Sequence, residues 1–313
     1  MSFERYLEEM DKIPVKDTYA KRELTTERFL YAKDGKVEIY WAPFDYINKD
    51  AKVVILGITP GWTQMELAFN YVLHHLKNEN LEQVQCEAKN HASFGGAMRK
   101  NLIDMLDGID LHKHLDIDSC EELFNEKSVL LHTSSVLRYP VFIDGENYSG
   151  SNPKILGHSL FTRMIDELLV PELNSIKDAV IIPTGKAVSD VLQYLLEEGK
   201  IENKTILFNF PHPSGANGHR KSQYATYKHI FKEQLEEAAK KGSFQGIVAT
   251  LTPSNDQMAE LINQLKIIGA ELKRGNDQKE SEMYYRRRLE TLADEVQPYD
   301  HRIALIIDHL LNN

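Results

Sequence analysis

The sequence predicts an α/β fold: three layers, α/β/α, around a central, mainly parallel sheet of four strands, with a C-terminal helical appendage. Two observations predict it. Apolar, β-prone runs at residues 53–56, 128–132, 180–182 and 206–210 are nearly continuous, as in strands covered on both faces. Turn residues close each run and helical periodicity follows, an alternation that implies parallel strands joined through helices.

Taken in order, residues 3–13 have the spacing of a short amphipathic helix, and residues 37–43 alternate like an edge strand that ends at Pro43. Residues 53–56 form the first buried strand. Gly57 and Gly61 then permit a close backbone approach, Pro60 stiffens the turn, and residues 64–76 carry a helical stripe. A strand, glycine turn and helix of this kind is a generic anion or nucleotide site. It is neither a Walker A loop nor GxGxxG. Gly95 and Gly96 open a helix over residues 97–107, with Phe94 just before it. His112 and His114 could share a strand face, but no third metal ligand accompanies them. Residues 128–132 begin another buried strand, with Thr133, Ser134 and Ser135 at its carboxyl end. Residues 141–153 have the length of a lid or substrate-contacting loop. A helix over 155–169 stops at Pro171, and residues 179–192 repeat the strand–turn–helix unit, with Gly185 at the helix start and Lys186 as a candidate phosphate contact.

The stretch at 206–221 is the most informative. An apolar strand stops at Pro211 and Pro213, which hold His212 between them at the sheet edge where ligands of open α/β sheets bind. A glycine-rich, basic segment follows, then a helix from residue 223. A rigid histidine beside a mobile cationic loop suits a site that holds a polyanion while one proton or charge is managed.

Composition bounds the rest. The 313 residues, 42% hydrophobic, can bury one or two domain cores. No apolar run reaches membrane-spanning length, and the first residues lack the basic and apolar regions of a signal peptide, so a cytoplasmic protein is expected. Cys86 and Cys120 form no CxxC pair, which points to a reducing compartment and away from a four-cysteine metal or iron–sulfur site. The net charge of −10 argues against a nucleic-acid binder that is basic all over. A local patch around Arg220, Lys221, Lys228 and Lys232 could still hold DNA. Beyond residue 242 the character changes to helical stripes and charge runs. The expected division is an α/β domain over 1–242, with residues 1–36 as an N-terminal extension, and a helical extension over 243–313.

Five short motifs, in order and at strand ends, resemble the uracil-DNA glycosylase superfamily. They are GITPG (57–61), SFGGAMRKNL (93–102), LLHTSSVLRYP (130–140), VIIPTGKAV (180–188) and HPSGANGHRK (212–221). The first is closest to the mismatch-specific and single-strand-selective branches. The likeness spans residues 39–235. It implies a DNA glycosylase with DNA, single- or double-stranded, as its partner and no cofactor. By resemblance, His212 donates a hydrogen bond to the base carbonyl as charge develops there, and Thr59 orients water. Gly57, Ile58, Pro60, Gly61, Trp62, Phe94 and Ser134 surround the flipped base, with Phe94 stacking on it. Ser214 binds a flanking phosphate, and Gly215, Ala216, Asn217, Arg220 and Lys221 enter or track the duplex.

Two departures from the family pattern matter. Thr59 stands where many members have an acid or Asn, so the water is activated by a dissociative path or by another acid, Glu66 or Asp144. The base-reading Asn maps to Ser134, or to His132 or Thr133 if the register slips. A hydroxyl cannot reproduce the two-pronged amide contact that tells uracil from cytosine. The expected substrate is therefore a modified pyrimidine, such as the hypermodified cytosines of phage DNA, which would make this a defence enzyme. Uracil repair is the runner-up, followed by a catalytically silent DNA-binding module and a nucleotide hydrolase. With no lysine at an obvious nucleophile position, a monofunctional enzyme that leaves an abasic site is expected.

Overall fold

In the computed structural model, which describes residues 3–77, 80–202 and 204–244, the apolar runs pair as parallel strands. The strands are β1 (Leu30–Asp34), β2 (Val37–Tyr40), β3 (Val53–Gly57), β4 (Leu131–Ser135), β5 (Val141–Ile143), β6 (Glu146–Asn147) and β7 (Val180–Pro183). The helices are α1 (Glu4–Met10), α2 (Lys21–Leu24), α3 (Trp62–His75), α4 (Leu81–Ala92), α5 (Ala97–Gly108), α6 (Leu111–His114), α7 (Ser159–Met164), α8 (Val170–Ser175), α9 (Lys186–Glu197) and α10 (Arg220–Lys240). The helical extension expected over 243–313 lies, beyond Phe244, outside the described residues.

The parallel sheet runs β4-β3-β7, with Leu56 opposite both Ser134 and Pro183. The fourth apolar run adds one parallel bridge, Ile206 to Ile181. The strand expected over 206–210 goes no further, because Phe208 N–H turns back onto Ile206 O and Asn209 takes φ +67°. Its end still reaches the sheet's rim, where Phe210 O accepts from Gly185 N at 2.8 Å.

Val54, Leu56 and Ile181 belong to an apolar core that includes Met65, Phe69, Val84 and Leu192, from α3, α4 and α9. Val53, Ile55 and Ile182 alternate with them and face the other way. They are buried outside that core, as are Leu102 and Leu106 of α5 and Phe231 and Leu235 of α10. Helices therefore cover both faces of the sheet, in the three-layer α/β/α arrangement.

A second, antiparallel sheet runs β1-β2-β5-β6. It changes two expectations. β2 is not an edge strand, since β1 and β5 flank it and Pro43 falls beyond its last residue. Residues 141–147 are not a free loop but a hairpin. Ile143 pairs with Glu146 around Asp144 and Gly145, whose φ values of +49° and +79° match the two-residue turn that follows the strands' twist. The N-terminal segment packs into the main core, with Tyr6 stacked on Trp41 at 4.1 Å between ring centroids.

The helix expected to stop before Pro171 continues to Ser175. A π-helical turn, Ile165–Leu169, precedes α8 and places Pro171 in the first turn of the resumed helix, where the missing N–H matters least. The resumed helix brings Glu172 to a fully buried position.

Candidate active site

The carboxyl ends of β3, β4 and β7 open into a cleft of about 660 Å³. Its wall brings together His212, Thr59, Gly57, Ile58, Pro60, Phe94, Ser134, Ser214, Ala216 and Asn217. Gly61, Trp62, Gly215, Arg220 and Lys221 lie outside that wall. The glycine turn after β3 and the histidine after the last apolar run, 155 residues apart if counted from Gly57 (212 − 57), face one space.

His212 is held from two sides. Ser214 N–H donates to its Nδ1 at 3.2 Å, which leaves the ring proton on Nε2 as the donor. Burial lowers its pKa, so the ring is neutral at pH 7. Behind it, Gly185 has φ +98°, and a Cβ there would lie 3.2 Å from His212 Cβ. Only glycine fits both the backbone angle and the close approach.

Across the cleft, a Cβ on Gly57 would meet Ser135 Oγ at 3.3 Å and Phe94 Cζ at 3.9 Å. The tight neighbour is Ser135 Oγ, while the Phe94 ring lies at ordinary contact distance from the strand end. Phe94 itself has φ +48°, a strained angle for an aromatic residue. Arg99, which sequence reasoning missed, holds that angle by donating to the carbonyls of Asn90, Ser93 and Phe94.

The family model of the Uracil DNA glycosylase superfamily matches residues 44–236. The chain belongs to the uracil DNA glycosylase superfamily. That membership supports a DNA glycosylase in general, with DNA as its partner. The chain is also similar to the uncharacterized protein YoxB of Bacillus subtilis (strain 168), 39% identical over 222 residues, or 70% of this chain and 87% of that one. Among solved structures, the chain is similar to wild-type Pedobacter heparinus SMUG2, at 11% identity and a TM-score of 0.37, over 74% of this chain and 96% of that one.

Within this superfamily chain, the position of Thr59 has a definite geometry. Its hydroxyl donates to Tyr139 O at 2.9 Å, so towards the cleft it can accept a hydrogen bond but has no proton left to give. Neither candidate acid reaches the cleft. Glu66 accepts from Tyr19 N at 3.0 Å, and Asp144 sits at the exposed hairpin tip, paired with Lys36 at 2.6 Å. No carboxylate lines the cleft among the described residues.

The helix after the glycine turn starts at Trp62, two residues earlier than its periodicity suggested. Asn147 Oδ1 accepts from Trp62 N at 2.9 Å, and Gln64 Oε1 accepts from Gly61 N at 2.8 Å. Gly61 and Trp62 therefore anchor the turn rather than form the wall. Asn147, on the hairpin, lines the cleft and ties it to β3.

The segment after His212 is partly built and partly exposed. Ser214 Oγ accepts from Ala216 N at 3.1 Å, which leaves its own proton free to donate. Gly215, Ala216 and Lys221 are exposed. Arg220 is not: its guanidinium donates to Pro213 O, Ser214 O at 2.8 Å and Asn101 Oδ1 at 3.0 Å. Lys232 pairs with Asp110, so the basic patch is smaller than the sequence suggested. Lys186 is exposed and pairs with Asp190 one turn on, at 2.7 Å.

Beneath the cleft lies a buried charged network that sequence reasoning missed. His132 Nε2 donates to Glu172 Oε1 at 2.7 Å, Arg138 grips Glu172 Oε2, and Lys89 Nζ lies 3.9 Å from Glu172 and donates to Tyr46 O at 2.7 Å. Burial opposes the charge on Glu172, but Arg138 and Lys89 outweigh it and hold its pKa well below the usual carboxylate range. Burial drops His132 to about 4 and Lys89 to about 8. Lys89 and Arg138 also line the cleft. The motif containing Arg138 was visible in the sequence, but Lys89 and α4 were not. Their meeting on Glu172 depends on the π turn before α8, which no local pattern announces.

His112 and His114 lie on a one-turn helix rather than a strand. Asp107, His112 and Cys120 offer atoms within 4.8 Å of one another. However, Asp107 already accepts from Cys120 N at 2.7 Å and Ser119 Oγ at 2.8 Å, and burial raises the Cys120 pKa, against the thiolate a metal needs.

Proposed function

We propose that the protein is a monofunctional DNA glycosylase of the cytoplasm that takes a flipped-out modified pyrimidine into the cleft, hydrolyses its N-glycosidic bond and leaves an abasic site. The observation that carries this is the fixed tautomer of His212. The C1′–N bond breaks heterolytically, its electron pair moves onto the base, and negative charge gathers on the base carbonyl oxygen. A neutral imidazole with its proton on Nε2 donates a hydrogen bond there without first losing or gaining a charge. Phe94 offers a stacking face, and the strand ends exclude water from the base.

With no carboxylate in the cleft wall among the described residues, the reaction follows a dissociative order. The base departs first, and water then adds to the oxocarbenium ion and gives up a proton to solvent. Thr59 Oγ, its own proton held by Tyr139 O, accepts a hydrogen bond from that water and fixes its position.

Ser134, with its small side chain, leaves room for a substituted base. This favours the hypermodified pyrimidines of phage DNA, glucosylated hydroxymethylcytosine among them, and a role in defence. Uracil is the second reading, favoured by the donor-rich wall that Lys89 and Arg138 make. The test is a panel of labelled duplexes and single strands carrying uracil, hydroxymethylcytosine or its glucosylated form, treated with alkali after incubation. Strand scission with wild type but not with His212→Ala is expected. Scission with neither, while DNA still binds, would make the protein a silent DNA-binding module.

A further inference from the structure

Three side chains converge on the cleft with hydrogen-bond donors left over. Ser134 Oγ is buried and has no partner. Lys89 has three N–H groups, of which Tyr46 O takes one at 2.7 Å. Arg138 commits Nε and Nη2 to Glu172 and Leu168 O, while Nη1 is 3.9 Å from Asp45, too long for a hydrogen bond. The acids that balance these cations, Glu172 and Asp45, are absent from the cleft wall. The cleft therefore faces N–H and O–H groups backed by two buried cations.

Resting on the glycosylase reading, we infer that Ser134, Lys89 and Arg138 form the base-reading floor, selecting pyrimidines that carry oxygen acceptors on the edge remote from the glycosidic bond. A C4 carbonyl, or an oxygen-bearing C5 substituent such as a carboxylate or hydroxymethyl group, satisfies donors that would otherwise stay buried and unpaired. A base with hydrogen or methyl at those positions leaves them orphaned, the kind of mismatch by which hydrogen-bonding sites reject analogues. The floor assigns to three dispersed residues the work that a single amide would do, and the ammonium and guanidinium allow an anionic substituent.

The experiment measures excision from single-stranded oligonucleotides carrying uracil, 5-carboxycytosine, 5-hydroxymethylcytosine, 5-methylcytosine or pyrimidin-2-one. The last keeps the C2 carbonyl that His212 would contact and lacks any C4 oxygen. Each rate is compared between wild type, Ser134→Ala and Lys89→Met. The expected result is that the kcat/KM ratio of an oxygen-edged base to pyrimidin-2-one falls about tenfold in each variant. The uracil and 5-substituted arms show whether the acceptor is read at C4 or at C5. An unchanged ratio in Ser134→Ala overturns the inference even if Lys89→Met fails to fold, and leaves the glycosylase reading standing. Wild type that excises none of these bases overturns the inference, and failure on glucosylated hydroxymethylcytosine as well overturns the glycosylase reading.

Discussion

The backbone N–H of Ser214 points at Nδ1 of His212 from 3.2 Å, and this contact decides which ring nitrogen can donate. The two residues are separated only by Pro213, whose ring restricts the turn and itself offers no competing N–H. The tautomer is thus set by the backbone rather than by a side chain that substitution could remove.

The first prediction concerns pH. Burial lowers the His212 pKa from its ordinary value of 6.5. The neutral ring is the active form, so kcat/KM stays flat as pH falls through about 6.5 and drops only below it. The same shift makes the unfolded chain bind more protons than the folded one in that window, so this group's contribution to stability is lost as pH falls through it and regained as pH rises. A pH–rate profile whose acid limb is centred at or above 6.5 would contradict the assignment. Removing the donor by His212→Ala should lower kcat by roughly 10²–10³-fold.

Gly185 is the second test. A methyl group there would press on His212 Cβ at 3.2 Å, at a backbone angle of φ +98°. Gly185→Ala should cost about 1–3 kcal/mol of stability from backbone strain and lower kcat more than it raises KM, because it displaces the imidazole. Denaturant melts alongside steady-state kinetics separate the two effects.

Third, Glu172→Gln should destabilise the fold by about 3–5 kcal/mol. The substitution keeps the shape but leaves Lys89 and Arg138 without the buried charge both of them face. Glu172→Gln with Lys89→Met should recover part of the loss, and equilibrium unfolding of the pair and the single variants measures the coupling.

These residues differ in how legible they were. His212, Phe94 and the turn over residues 57–61 announce themselves locally, through prolines, glycines and strand ends, and the structure places His212, Phe94 and residues 57–60 around one cleft. Lys89 and Glu172 do not. Each sits in a helix where a charged residue ordinarily faces solvent, and their burial follows from packing between elements distant in sequence. The hairpin over 141–147 was misread as a loop because its strands are too short to alternate visibly. Its Asp144-Gly145 turn was the available signal.

Arg220 gives the last prediction, because the structure assigns it work that its charge alone did not suggest. An arginine in a basic segment beside DNA is ordinarily a phosphate ligand, whose loss weakens binding to all sequences and flattens the salt dependence. Here the guanidinium is turned onto Pro213 O, Ser214 O and Asn101 Oδ1, and Asn101 Nδ2 in turn donates to Pro213 O at 2.9 Å. Those carbonyls flank the Ser214 N–H that fixes His212. Arg220→Ala should therefore lower kcat about tenfold or more while the slope of log K against log salt changes little. Lys221→Ala, at an exposed position, should do the reverse and reduce that slope by about one. Salt-dependent binding to an uncleavable oligonucleotide, measured beside single-turnover excision, separates the roles, and a slope change of about one for Arg220→Ala with kcat intact would return that arginine to the DNA.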